Sequence, residues 1–172
     1  NVVISFHWNC KIAPEARSAW WHYVDSLAEL SRDKRIRLYG HSHPRFTSVA
    51  HKQYHALGIP IIEHFDDVLE LADVYVCDNS STIYEFALTD RPVVLLNAPW
   101  YNKRANHGIR FWQFANVGVQ CDEPEDLSDC IQEALEDRPS LVKSRREISR
   151  LMFENADGSA ARHAVEEILR LN

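Results

Sequence analysis

No stretch of this chain comes near the ~20 consecutive apolar residues that a membrane-spanning helix needs, and none reads as a secretory leader. The four cysteines, Cys10, Cys77, Cys121 and Cys130, make no Cys-x-x-Cys pair and no metal-ligand spacing. They are therefore expected to be free thiols of a reducing cytosol. There is no basic run or stripe, and the net charge is −6, which excludes a role built on nucleic-acid phosphates. No Gly-x-Gly-x-x-Gly follows the first apolar stretch, so an NAD-type dinucleotide site is not expected. Repeats and low-complexity segments are absent as well.

What is there is ordinary in bulk. The 172 residues are 45% hydrophobic and 26% charged, the composition of one globular domain with a real core. Strand-like and helix-like stretches alternate. The predicted strands are Val2 to Phe6, Arg35 to Tyr39, Pro60 to Ile62, Asp73 to Cys77, Val93 to Leu96 and Val117 to Cys121. The predicted helices are Glu15 to Ser31, Phe46 to Leu57 ending at Gly58, Asp66 to Leu71, Thr82 to Leu88, Pro124 to Glu136, Ser140 to Phe153 and Ser159 to Leu171. Such alternation predicts an α/β fold, a doubly wound parallel sheet of about six strands with a Rossmann-like layout. Ligands of such sheets bind at the carboxyl ends of the strands, where the polar and aromatic loops of this chain concentrate.

The chain is organised around Ala72 to Leu96. Asp73 to Cys77 suits a buried strand, and Asp78 to Ser81 are turn and N-cap residues. Thr82 to Leu88 puts Ile83, Phe86 and Ala87 on one helical face. Arg91-Pro92 stops the helix before the next strand. A helix opening on Asn79, Ser80 and Ser81 offers free N–H groups, the positive end of its dipole and two hydroxyls, a ready phosphate site. A plain N-cap without a ligand is the other reading. Asp78 is expected to orient this turn and not to act as a base. Lys11, in the loop after the first strand, could meet a diphosphate as a point charge. In the loop after Leu96, Asn97, Arg104 and His107 could face a donor head group or an acceptor. Trp100, Phe111, Trp112 and Phe114 there are expected to pack against the domain or against a missing partner domain.

Ala72-Asp73-Val74, Asp78, Ser80-Ser81, Glu85 and Arg91-Pro92 together resemble the signature of the CDP-glycerol glycerophosphotransferase family, teichoic-acid polymerases of GT-B fold. Asp157-Gly158, Ser159 and Arg162 resemble the step before that family's last helix. The resemblance places the family's His-Pro on His43-Pro44, with the histidine near the donor phosphates. Glu85, seven residues before Pro92, matches the ribose-holding glutamate of GT-B enzymes. It implies that residues 1–172 are one nucleotide-donor-binding domain, the C-terminal half of a GT-B transferase. Its partners would be CDP-glycerol or a nucleotide-sugar and an N-terminal domain absent here. No metal or other cofactor is implied, and the general base would lie in the absent half. The chain opens at Asn1, inside a strand and without Met, so a fragment of a longer two-domain protein is expected, incomplete as an enzyme. The family implies a cytoplasmic place, peripheral to the inner face of the membrane, with membrane contact only through other parts of the protein.

Two further resemblances compete. Gly40-His41-Ser42-His43 is similar to the metal motif of calcineurin-like metallophosphoesterases, but the Asp-x-His, Gly-Asp and Gly-Asn-His runs of that family are missing. The Ser-bearing turn before a Glu-bearing helix is similar to that of nucleotide-sugar 2-epimerases, although Asn79-Ser80-Ser81 lacks their glycines. A non-catalytic nucleotide-binding or interaction module is the remaining alternative.

Overall fold

The computed structural model describes residues 1–13, 17–101, 116–153 and 156–171. Five strands, β1 (Val2–Phe6), β2 (Leu38–Ser42), β3 (Val74–Cys77), β4 (Val93–Leu96) and β5 (Val119–Cys121), form one sheet in the order β2-β1-β3-β4-β5. Every pairing is parallel. β1 is almost wholly apolar and buried along its length, because both faces of a parallel sheet are covered.

Two apolar layers cover it. Val2, Ile4, Phe6, Val74, Val76, Val94 and Leu96 pack with α1 (Trp20–Tyr23), α2 (Leu27–Leu30), α3 (Thr47–Leu57) and α6 (Leu127–Glu136). Val3, Tyr75, Cys77, Val93 and Leu95 face α4 (Phe65–Leu71), α5 (Thr82–Ala87) and the apolar side of α7 (Pro139–Met152). The last helix, α8 (Ala160–Arg170), has no buried residue. Among the described residues, no helix is long and apolar enough to cross a membrane.

The sheet has five strands and not six. Pro60 to Ile62 makes only one bridge, Ile61 to Gly40. Pro60 has no N–H to give a ladder, and the Pro60 carbonyl and Ile62 N–H both bond to Gly40. The second strand lies three residues later than expected. Arg35 is held in a turn by Asp33, which accepts its backbone N–H at 2.9 Å and its guanidinium at 2.7 Å. Gly40, His41 and Ser42 are therefore strand, and His43 is the first loop residue. The first helix is two short α turns joined by a 3-10 turn over Val24–Ser26, although Trp20, Leu27 and Leu30 are buried as its apolar spacing requires. The Phe46 to Leu57 helix ends at Gly58, whose left-handed φ of 68° suits glycine.

Among the described residues, two left-handed positions are not glycine: Asp90, with φ 59°, after α5, and Asp137, with φ 44°, after α6. Arg145 on α7 reaches both and is 1% exposed. Its guanidinium donates to the two Asp137 carboxylate oxygens at 3.1 and 2.9 Å and to the Asp90 carbonyl at 2.7 Å. One side chain thus pins three elements.

Candidate functional site

Because β1 lies between β2 and β3, the chain winds in opposite directions on its two sides, and in open α/β sheets the ligand crevice lies at such a switch point, beyond the carboxyl ends of the strands. Phe6 is level with Ser42, and Ser5 with Cys77. The next residues, His7, His43 and Asp78, therefore leave the sheet side by side.

Asp78 ties these loops together. One carboxylate oxygen accepts the His7 N–H at 2.8 Å. The other accepts the Ser18 hydroxyl at 3.0 Å and the Ala19 N–H at 2.8 Å. The group is 2% exposed. Burial pushes its carboxyl up to about 6, against the pull of those donors. Asp78 thus ties the loop after β1 and the residues before α1 to the turn after β3. A carboxyl whose value rises on folding holds its proton more tightly in the folded chain. Its contribution to stability therefore falls as pH climbs from about 4 to about 6 and is constant above that. Asp78→Asn, which loses an acceptor but does not titrate, should show its largest stability deficit against wild type near pH 4 and a smaller one at pH 7. Urea midpoints across this range measure it; an unchanging deficit would show that Asp78 does not titrate there.

The turn after β3 runs through Asn79, which is buried, Ser80, which is half-buried, and Ser81, which is exposed. The Ser80 hydroxyl oxygen accepts the Thr82 N–H at 3.3 Å and lies 2.8 Å from the Thr82 hydroxyl. Ser80 is thus the side chain that caps α5. Ser81 makes no capping bond and its hydroxyl faces solvent. Glu85 is exposed one turn further along the same helix face.

His43 borders the same crevice. Its N–H donates to the Phe6 carbonyl at 2.9 Å. Its Nδ1 accepts the Arg45 N–H at 3.1 Å, which leaves the ring proton on Nε2. Burial, then the nearby Arg45 charge, lower its pKa, so the neutral ring with one outward donor is favoured. His43 packs edge-on to His7 at 5.1 Å, and the Arg45 guanidinium lies over the Trp8 ring at 5.2 Å. Sequence reasoning did not single out His7 or Arg45. The signal was the strand register: once β2 ends at Ser42, its following residues must meet those after β1.

Asn97 is pinned between β4 and β5, its amide donating to Gln120 at 3.2 Å and Asp122 at 2.8 Å. Lys11 is exposed in the loop after β1. Arg104, His107, Phe111, Trp112 and Phe114 lie outside the described residues. Trp100 is half-buried against the main core. His41 does not join His43. It is buried, its Nδ1 lies 2.8 Å from the Ser5 hydroxyl, and its ring sits beside Phe65. Among the described residues, no group of three or more His, Cys, Asp or Glu side chains is placed to hold a metal.

Comparison with known proteins gives the family. The family model described as CDP-Glycerol:Poly(glycerophosphate) glycerophosphotransferase matches residues 25–170. No curated protein matches the chain in sequence. Among solved structures it is similar to HepE (Alr3699) of Anabaena, crystallised with UDP-glucose, at 14% identity and TM-score 0.50, covering 99% of this chain and 49% of that one. It is similar to MurG of Acinetobacter baumannii at 16% identity and TM-score 0.51, again over 99% and 49%. The catalytic domain of the cholesterol-α-glucosyltransferase of Helicobacter pylori shares 16% identity at TM-score 0.50, over 89% of this chain and 97% of that one. The fold is that of GT-B glycosyltransferase domains, and the chain spans about half the length of HepE and MurG.

Proposed function

The chain belongs to the CDP-glycerol:poly(glycerophosphate) glycerophosphotransferase family, and from that premise we propose that it is the donor-binding half of a GT-B-type transferase. It holds the diphosphate of CDP-glycerol, or of a nucleotide-sugar, for transfer of a glycerol-phosphate or glycosyl group. The observation that carries this reading is the switch-point crevice. Two hydroxyls on the turn after β3 and a neutral histidine on the loop after β2 border loops that one buried carboxylate locks together. Donors fixed in this way stabilise charge on a departing phosphate without having to reorganise.

In this reading the Ser80 and Ser81 hydroxyls and the His43 Nε2–H bind diphosphate oxygens. Glu85 holds the ribose, and Asp78 keeps the loops in register. The acceptor and the general base belong to the other half, because transfer needs a closed cleft that positions both substrates and excludes water. The protein works at the inner face of the membrane through parts beyond this chain.

Calorimetric titration with CDP, UDP and CDP-glycerol tests the assignment. A hydrogen bond to a charged group contributes about 1.5–3 kcal/mol. Ser80→Ala with Ser81→Ala should therefore weaken nucleoside diphosphates roughly 100-fold or more. Affinity equal to that of wild type would remove the phosphate site from this turn. A preference for UDP over CDP would assign the donor to the nucleotide-sugar class.

A further inference from the structure

A string of polar side chains runs inward from Ser80 through an otherwise apolar layer. The Ser80 and Thr82 hydroxyls are 2.8 Å apart, and the Thr82 hydroxyl is 2.9 Å from that of Tyr75. Tyr75 is 0% exposed. The rings of Phe65 and Phe86 flank Tyr75 at 5.7 and 5.1 Å. The three residues come from two elements, α5 with its entry turn and β3.

Each hydroxyl has one proton, so a closed string has two senses. In the inward sense Ser80 donates to Thr82 and Thr82 to Tyr75. In the outward sense Tyr75 donates to Thr82, and Thr82 to Ser80. Only then does the Ser80 proton point into the crevice. Burial keeps the Tyr75 hydroxyl protonated. Away from water, each hydroxyl's orientation is set by its neighbours, and bonds in series polarise one another.

We propose that Thr82 and Tyr75 are positioning residues, a hydrogen-bond string that turns the Ser80 hydroxyl outward as a donor when an anion docks on the turn after β3. This rests on the reading of that turn as the donor-phosphate site. The string makes Ser80 a stronger donor, since its oxygen then accepts from both the N–H and the hydroxyl of Thr82.

The test is calorimetry of the chain with CDP and with inorganic pyrophosphate. Tyr75→Phe and Thr82→Val should each weaken both ligands about 3- to 10-fold, while Thr82→Ser should bind as wild type does. Tyr75→Phe should add nothing in a Ser80→Ala background, a coupling that general loosening of the fold would not produce. Should Tyr75→Phe fail to fold, the Thr82→Val and Thr82→Ser pair carries the test by itself. Wild-type affinity in Tyr75→Phe and Thr82→Val, with Ser80→Ala weakened, overturns the string and leaves the phosphate site standing. So does an equal loss from Tyr75→Phe with and without Ser80. If Ser80→Ala itself binds as wild type does, the string and the site fall together.

Discussion

Gly118→Ala should lower the thermal midpoint by about 10 °C. A Cβ on Gly118 would sit 2.1 Å from the Val93 carbonyl oxygen, 2.7 Å from its carbon and 2.9 Å from the Val93 Cβ. The first two are backbone atoms of a central strand and cannot swing aside. Relief must come from moving β5 away from β4, and that disturbs the whole short ladder, Val94 with Val119 through Leu96 with Cys121. It also disturbs the Asn97 N–H bond to the Cys121 carbonyl at 2.8 Å. Overpacking a core costs about 1–3 kcal/mol when side chains can adjust. With rigid backbone on one side, about 3 kcal/mol is the fitting end of that range, and for a domain of this size each kcal/mol moves the midpoint by roughly 2–4 °C. Circular dichroism melting decides it. A midpoint within two or three degrees of wild type would mean that the β4–β5 approach is looser than described.

Arg145→Met should be nearly as damaging. Methionine keeps much of the stem's volume but leaves the Asp137 carboxylate and the Asp90 carbonyl without their donor. Breaking a fully buried pair costs about 3–5 kcal/mol. Asp90 and Asp137 retain 38% and 28% side-chain exposure, so water relieves part of the loss, and about 2–3 kcal/mol is expected. The damage should exceed that of a single ion pair, because both aspartates hold left-handed backbone that Arg145 braces. Arg146 is the control. It also pairs with Asp90, yet it is 59% exposed, and Arg146→Met should change stability by less than about 0.5–1 kcal/mol. Equal effects of the two substitutions in urea unfolding would show that burial of Arg145 adds nothing.

Much of this architecture was legible because the central strands are apolar on both faces. Val2 to Phe6 and Val93 to Leu96 can only be buried strands, and their bounds agree with the expectation. The turn from Asp78 to Ser81 was legible from its cap-forming residues. Arg35 to Tyr39 misled because Arg35 and Arg37 alternate with Ile36 and Leu38 as an exposed strand would. Asp33 instead captures Arg35 in a turn, a local hydrogen-bond choice that periodicity does not report. The three-residue shift that follows moved His41 from loop to core and hid its bond with Ser5. Pro60 to Ile62 has strand composition but is one bridge long, and composition does not count partners. Asp78 holds donors from two other parts of the chain. Its partners Ser18 and Ala19 are some sixty residues away and leave no mark on the local sequence.

The strand order also dictates a schedule. β1 lies between β2 and β3, yet neither of its neighbours is near it in sequence: Val2 is level with Leu38 on one side and Val74 on the other. Closing the shorter loop costs less entropy, so the β1–β2 pair forms first and β3 must find an edge already occupied on its far side. Until it does, a nascent chain presents Val-Val-Ile-Ser-Phe as an uncovered edge strand whose side chains all end up buried. Such an edge is a template for wrong pairing. The interval between synthesis of β2 and delivery of β3 is therefore the period of greatest aggregation risk, and translation speed across residues 43–73 sets its length.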